Sequence, residues 1–294
     1  MSSAVAILPE AQLEGLERAY VTAVAERRRR IFIFAAAFIA CAAVSFVVAE
    51  VDVGRLFRDI GKLTSYFGRL AYLENNEPVW SDPAEWFWGL RKWSLKIGET
   101  LIIAYLGTIL GAVGAFFLCF LAASNLVQSK TVLFASRRIL EFCRTVPELV
   151  FALTFVIAFG LGPLPGVLAI AIHTLGALGK QFAEVVENID MKPFDGVTSA
   201  GASWSEAVRY AALPQVLSNF ASYGLLRFEI NVRGASVMGF VGAGGIGHEL
   251  LIVIRRFNYS DVSAILLMII ATVMIIDLLT ERIRMALLGR ERRT

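Results

Sequence analysis

The sequence predicts an all-α protein, a polytopic transmembrane helical bundle of about six spans. Three observations predict it. Hydrophobic residues make up 57% of the 294-residue chain and charged residues 18%, against about 45–50% and about 25% in soluble globular proteins. The apolar residues gather into runs close to the ~20 residues that a helix needs to cross hydrocarbon. Polar segments rich in Lys and Arg separate the runs, and these cations orient spans. A net charge of +3 is too small to call for a nucleic-acid partner; the partner that the composition implies is the lipid bilayer.

Residues 1–30 are polar. Leu13, Leu16, Ala19 and Tyr20 recur at helical spacing, which predicts an amphipathic helix over residues 10–30. It ends in Arg27-Arg28-Arg29-Arg30, directly before an apolar run over residues 31–49. That run reads as a first span, its arginines holding the N-terminal side in the cytoplasm. It is too long, and its polar lead too extended, for a secretory leader. The expected division is a cytoplasmic amphipathic segment at 1–30 and a transmembrane domain at 31–294.

Residues 51–96 hold Tyr66, Phe67, Tyr72, Trp80, Trp86, Phe87, Trp88 and Trp93, a density that suits the membrane interface. Val53, Leu56, Phe57, Ile60 and Leu63 mark a one-sided helix. Helices lying along the outer surface and broken near Pro78 and Pro83 are expected.

A second span is expected over 97–123, with Gly107 and Gly111 as a small-xxx-small face for a neighbouring helix. Lys130, Arg137, Arg138 and Arg144 follow on the cytoplasmic side. A third span is expected over 146–161, a tight uncharged turn at 160–166, and a fourth span over 167–178. A polar connector covers 179–213. A fifth span, over 215–240, contains Arg227, Glu229, Asn231 and Arg233. Residues 239–261 are glycine-rich and then polar, and a sixth span covers 262–279. Arg282, Arg284, Arg290, Arg292 and Arg293 pin the tail in the cytoplasm. The connector is then cytoplasmic, and the glycine-rich stretch lies on the outer side.

The connector is polar and carries both signs of charge, so it cannot lie in hydrocarbon. It reads as two short helices joined at Gly201, which supplies a bend that other residues resist. The first is expected over 183–200 with Phe194 near its middle. The second starts at Ser203, with Glu206 placed for a capping box. Leu213-Pro214 marks entry into the fifth span, where proline is tolerated in a first turn. Such a helix pair continuous with a membrane helix is a lever.

Asp195-Gly196-Val197, then Gly201, Ala211 and Leu213-Pro214, resemble the EAA loop of ABC-importer permeases. The glycine-to-proline spacing is kept; the triplet differs from E-A-A, and Ala211 stands where that loop has isoleucine. Arg144-Thr145-Val146-Pro147-Glu148-Leu149, Gly160-Leu161-Gly162-Pro163, Ala171-Ile172-His173-Thr174-Leu175-Gly176, Gly179-Lys180 and the run from Phe240 to Gly247 are similar to the phosphonate-transport permease family (PhnE-like). The resemblance covers residue 99 to the end, with a weaker match in 51–69. It implies a type I ABC-importer permease (MetI-like) fold and a homodimer of permeases. It also implies two cytoplasmic ATP-binding subunits, a periplasmic substrate-binding protein, and phosphonate or a related phosphorus oxyanion as cargo.

On this reading Phe194, Asp195, Gly201, Ala202, Trp204, Leu213 and Pro214 form the ATPase-coupling loop, at 180–213; the alternative is a solvated loop. Arg227, Glu229, Asn231 and Arg233 should pair or face an aqueous path, since charge at membrane depth costs about 2.5–3.5 kcal/mol or more. A cationic lining suits an anionic cargo, and an Arg–Glu pair that only joins helices is the alternative. His173 reads first as a packed, hydrogen-bonded residue and second as a path residue. Arg144 and Glu148 are spaced to bond along one helix face, though Pro147 stands between them.

Gly242, Gly244, Gly245 and Gly247 fit G-x-G-x-x-G formally, but a dinucleotide fingerprint needs a preceding strand and here a span precedes it. Close backbone packing at the outer mouth is expected instead. No Walker A pattern occurs in the sequence, so ATP hydrolysis is expected on another chain, and no cofactor is expected. Cys41, Cys119, Cys143, His173 and His248 show no metal-ligand spacing. An enzyme would need clustered acid–base residues, and a stand-alone secondary transporter would show internal repeats. A related permease for methionine or another organic solute is the nearest rival.

Overall fold

The computed structural model describes residues 10–50 and 52–291. Arg292 and Arg293 of the tail lie outside the described residues, as do the side chains of Leu13, Leu16, Val53, Leu56 and Arg290. Among the described residues the chain is helical, with a single isolated β-bridge between Tyr72 and Pro78. It divides into two units at Ser65 and Tyr66.

The first unit contains α1 (Glu10–Val48) and most of α2 (Val53–Leu70). The amphipathic segment and the first span expected from the sequence are one continuous helix, because no Gly, Pro or capping residue interrupts the arginine block. Its stretch Arg18–Val48 is long and apolar enough to cross a membrane, and none of its apolar window is buried against protein. Asp52 caps α2 by accepting from the Arg55 backbone N–H at 2.8 Å. Phe57, Ile60, Leu63 and Phe67 form an exposed apolar stripe on α2, while Lys62 pairs with Asp59 at 2.8 Å.

The second unit is a helical bundle. Its elements are α3 (Pro83–Trp86), α4 (Leu90–Ala122), α5 (Lys130–Thr145), α6 (Glu148–Phe159), α7 (Pro163–Glu187) and α8 (Met191–Ser199). They are followed by α9 (Trp204–Ala207), α10 (Leu213–Met238), α11 (Ile246–Arg255) and α12 (Tyr259–Glu291). The aromatic segment breaks near Pro78 and Pro83, as expected, but Trp93 lies inside the fold rather than at its surface. Residues 71–82 form a tight hairpin turn, closed by Leu73 N–H to Glu77 O at 2.8 Å and Val79 N–H to Ala71 O at 3.0 Å. Trp86 and Trp88 reach the start of α12, donating to Ser263 Oγ at 3.0 Å and Asp261 Oδ1 at 2.9 Å. Trp93 is fully buried. Indole N–H groups that find partners inside the fold tie these rings to protein rather than to an interface alone.

α4 and α7 pack along their length. A Cβ on Gly107 would lie 2.6 Å from Ile170 Cγ2, and one on Gly111 would lie 2.6 Å from the Ala171 carbonyl oxygen. The small-xxx-small face therefore works as read. Near the ends of α4 and α7, Phe182 stacks on Phe220 of α10 with ring centroids 4.0 Å apart. That core also takes in Phe120, Val208, Ala212 and Val216.

Helices α4, α7 and α12 are each long and apolar enough to span, as is α1. The remaining spans are broken: α5 and α6 meet at 84°, and the rod ending at Val241 meets α11 at 46°. Four spans become up to six when each bent pair is one span. The expected third span over 146–161 is thus only α6. At 1.5 Å per residue its 12 residues reach about 18 Å, short of the ~30 Å hydrocarbon core. Pro147 removes a helical donor, and the residue before it avoids the helical region.

Candidate functional site

The connector is shorter than expected. α7 continues to Glu187, and Asn188 to Asp190 make the corner that was placed inside a first connector helix. Asp190 caps α8, accepting from Lys192 N–H at 3.1 Å. The Gln215 side chain locks this corner: it accepts from Asp190 N–H at 3.0 Å and donates to Asp190 O at 3.2 Å.

At the other end of α8, Gly201 adopts φ +95°, a left-handed conformation that closes a helix C-terminus cheaply only for glycine. Ser203 and Glu206 form the expected capping box, with Ser203 N–H to Glu206 Oε2 at 2.7 Å. The entry to the next span differs. α9 runs into α10 without a break through a π-helical turn, Val208–Ala212. The wider turn precedes Pro214, whose ring would otherwise press on the carbonyl four residues earlier. Short connector helix and span are one rod.

Phe194 and Leu213 pack against the Phe120–Phe182–Phe220 core. Trp204 donates to Leu126 O at 3.0 Å, tying the connector to the α4–α5 loop. Asp195, Gly201 and Pro214 are exposed, and Ala202 is half-buried.

At mid-bundle the charged residues of α10 divide between two faces. Arg227 and Asn231, four apart, point toward α7 and α4; Glu229 and Arg233 point toward α12. Arg227 donates to His173 Nδ1 of α7. Because an arginine can only donate, that nitrogen is the acceptor. Glu148, at the first turn of α6, comes within 3.9 Å of the same nitrogen. The 84° bend carries Glu148 away from Arg144, so the expected Arg144–Glu148 bond is absent among the described residues. Gly234 leaves room for that carboxylate: a Cβ there would lie 2.6 Å from Glu148 Oε1.

On the opposite face Arg233 pairs with Glu229, one turn away, and lies 4.0 Å from Asp277 of α12. Glu229 is buried, while the Arg233 and Asp277 side chains are 53% and 54% exposed. Asn231 has no exposed surface. Its amide donates to Thr108 Oγ1 at 2.8 Å and Thr174 Oγ1 at 2.9 Å, linking α10 to α4 and α7. His173 is thus packed and hydrogen-bonded, as its first reading had it. Residues 173, 227, 229, 231 and 233 do not form one cluster.

The glycine-rich turn follows α10. Gly242, Gly244 and Gly245 have φ of +87°, +81° and +76°, and a Cβ on Gly247 would collide with the Ser236 carbonyl. The first N–H groups of α11 are held by α4: Gly245 N–H donates to Glu99 Oε1 at 3.1 Å, and Ile246 N–H to Thr100 Oγ1 at 2.9 Å. Gly247 thus serves close backbone packing, while Gly242, Gly244 and Gly245 serve the left-handed turn. Sequence reasoning missed Glu99 and Thr100, as it missed Asp277 and Gln215.

Comparison with known proteins adds the family. Residues 107–293 match the family described as "Binding-protein-dependent transport system inner membrane component". The phosphite transport system permease protein PtxC of Stutzerimonas stutzeri is 41% identical over 191 residues, covering 65% of this chain and 70% of that protein. The phosphate-import permease protein PhnE of Mycolicibacterium smegmatis is 41% identical over 194 residues, covering 66% of this chain and 36% of that one. Among solved structures, an inward-facing MetNI methionine ABC transporter matches with a TM-score of 0.57 at 18% identity, covering 66% of this chain and 95% of that chain. That likeness establishes the fold. The chain belongs to the inner-membrane components of binding-protein-dependent transport systems, and it is the multi-pass permease subunit of an ABC importer.

Proposed function

We propose that this chain forms the route by which a phosphorus oxyanion (phosphite, a phosphonate or phosphate) crosses the inner membrane. A second copy of the chain, two cytoplasmic ATP-binding subunits and a periplasmic binding protein complete the importer. One observation carries the substrate class: Arg227 and Arg233 lie inside a membrane span, α10, in a chain with 41% identical relatives named for phosphite and phosphate. Cations at that depth attract an anion, and unpaired they are costly.

Residues 188–213 are the coupling segment. Its exposed surface, with Asp195, Gly201 and Trp204, docks on the ATPase, and Phe194 anchors it to the bundle. Support comes from the rod geometry, since force applied at Trp204 is carried directly into α10. The arginine-rich ends, Arg27–Arg30 and Arg282 with Arg284, face the cytoplasm, and the glycine-rich turn faces the binding protein. Residue 30 marks the side of the membrane rather than a break in α1.

The test is uptake in cells lacking their own phosphorus importers, supplied with the chain, its ATPase and its binding protein. Uptake of phosphite, methylphosphonate or phosphate is expected, lost when the ATPase is omitted. Uptake of methionine or another organic solute alone would overturn the substrate class, and uptake without the ATPase would overturn the coupling.

A further inference from the structure

Arg144 at the end of α5, Lys180 on α7 and Arg227 on α10 line one cavity of about 250 Å³. Its one acidic lining residue, Glu184, lies 3.5 Å from Lys180. Among the described residues no carboxylate oxygen comes within 4.0 Å of either guanidinium. Arg227 spends one terminal nitrogen on His173, while its Nε is buried with no hydrogen-bond partner. Arg144 and Lys180 are exposed and Arg227 is half-buried; the buried, unpartnered Nε of Arg227 is the group that calls for a ligand. Here two forked donors and a point charge converge on space whose lining holds no counter-charge beyond Glu184; Glu148, beside His173, faces Arg227 from outside that lining.

The cavity has an outlet. It shares Gln181, Glu184 and Tyr223 with a polar cavity of about 510 Å³ that continues past Asn188 and Asp190 to Gln215 at the connector corner. Polar groups therefore line a way from Arg227 to the connector end of the bundle.

We propose that this cavity is an anion site of the permease itself, taking a small tetrahedral phosphorus oxyanion between Arg144, Lys180 and Arg227 on its way to the connector end. It rests on the phosphorus-oxyanion reading above and adds Arg144 and Lys180 to the path. Guanidinium forks match the paired oxygens of such an anion, and the lysine adds charge without geometry. A free oxyanion and a phospholipid headgroup share this chemistry; the cavity is assigned to the free anion because its continuation is polar.

The experiment uses the assembled permease–ATPase complex in phosphatidylcholine nanodiscs, without binding protein. It titrates inorganic phosphate, phosphite and methylphosphonate by calorimetry. Saturable binding of at least one is expected, weakened roughly tenfold or more in Arg144→Gln/Lys180→Gln and unchanged in Lys130→Gln at the far end of α5. Arg144→Lys, which keeps the charge and loses the fork, should weaken binding less; it serves as the test if the double variant fails to assemble. Equal affinity in wild type and variants overturns the proposal, as does loss of binding when phosphatidylglycerol is added, which would make the occupant a headgroup. Uptake by the same complex with its binding protein separates the two readings. Uptake without wild-type binding ends the anion site and leaves the substrate class standing. Binding without uptake of any of the three ends the substrate class and leaves an anion site.

Discussion

Asn231 of α10 donates to Thr174 of α7 at 2.9 Å, in a position with no solvent exposure. With the matching bond to Thr108, one amide joins the three helices that carry the core of the permease. Each such bond inside a membrane protein is worth about 0.6 kcal/mol on average and up to about 1.7. Asn231→Ala should therefore lower stability by about 1–2 kcal/mol, read as a lower denaturation midpoint of the purified protein. An unchanged midpoint would show that the amide braces nothing.

The Arg233–Glu229 pair predicts a non-additive result. Arg233→Gln leaves the buried Glu229 without its charged partner, at a cost of about 2 kcal/mol. Glu229→Gln/Arg233→Gln removes both charges and should recover part of that loss. Comparing the three denaturation curves checks this; a double variant less stable than the single one contradicts it. If Arg233 also faces the cargo, uptake stays low in the double variant while stability returns.

Gly201 separates geometry from docking. Its φ of +95° disfavours other residues, but a side chain would meet open space. Gly201→Asp should insert and assemble, with a backbone penalty of about 1–2 kcal/mol, yet hydrolyse ATP without transport. Gly201→Asn, which tolerates the left-handed region better, should be milder. ATPase and uptake assays on one preparation decide, and normal uptake in Gly201→Asp would refute the coupling role.

Gly247 makes the opposite case. Its missing Cβ is required by the Ser236 carbonyl, so Gly247→Ala forces α11 off the end of α10, at a cost of about 1–3 kcal/mol from overpacking. Thr100→Ala, which frees the Ile246 N–H, should cost about 1 kcal/mol as a lost cap. Thermal denaturation ranks the two, and Gly247→Ala is expected to be the worse.

What could be read in the sequence depended on how far apart the partners are. Gly107 with Gly111, and Ser203 with Glu206, are local patterns, and the structure follows them. Pro147 announced a break, but nothing local announced that the 84° bend would bring Glu148 beside His173 of α7 and Gly234 of α10. The role of Glu99 gave no local signal because the Gly245 N–H it holds is 146 residues away. The extra length of α7 was hidden because Lys180, Gln181, Glu184 and Glu187 give residues 179–187 the polar and charged groups of a connector. They remain helical because Glu187 is anchored to Ser124 at 2.7 Å and to Arg137.

The central claim is that the connector sits on the ATPase side of the membrane, at the base of α10. It is tested most directly by a single cysteine at Ala202→Cys, in a background where Cys41, Cys119 and Cys143 are replaced, probed with a membrane-impermeant maleimide. The account predicts labelling in inside-out vesicles and none in intact spheroplasts. Labelling from the outside of intact spheroplasts alone would contradict it.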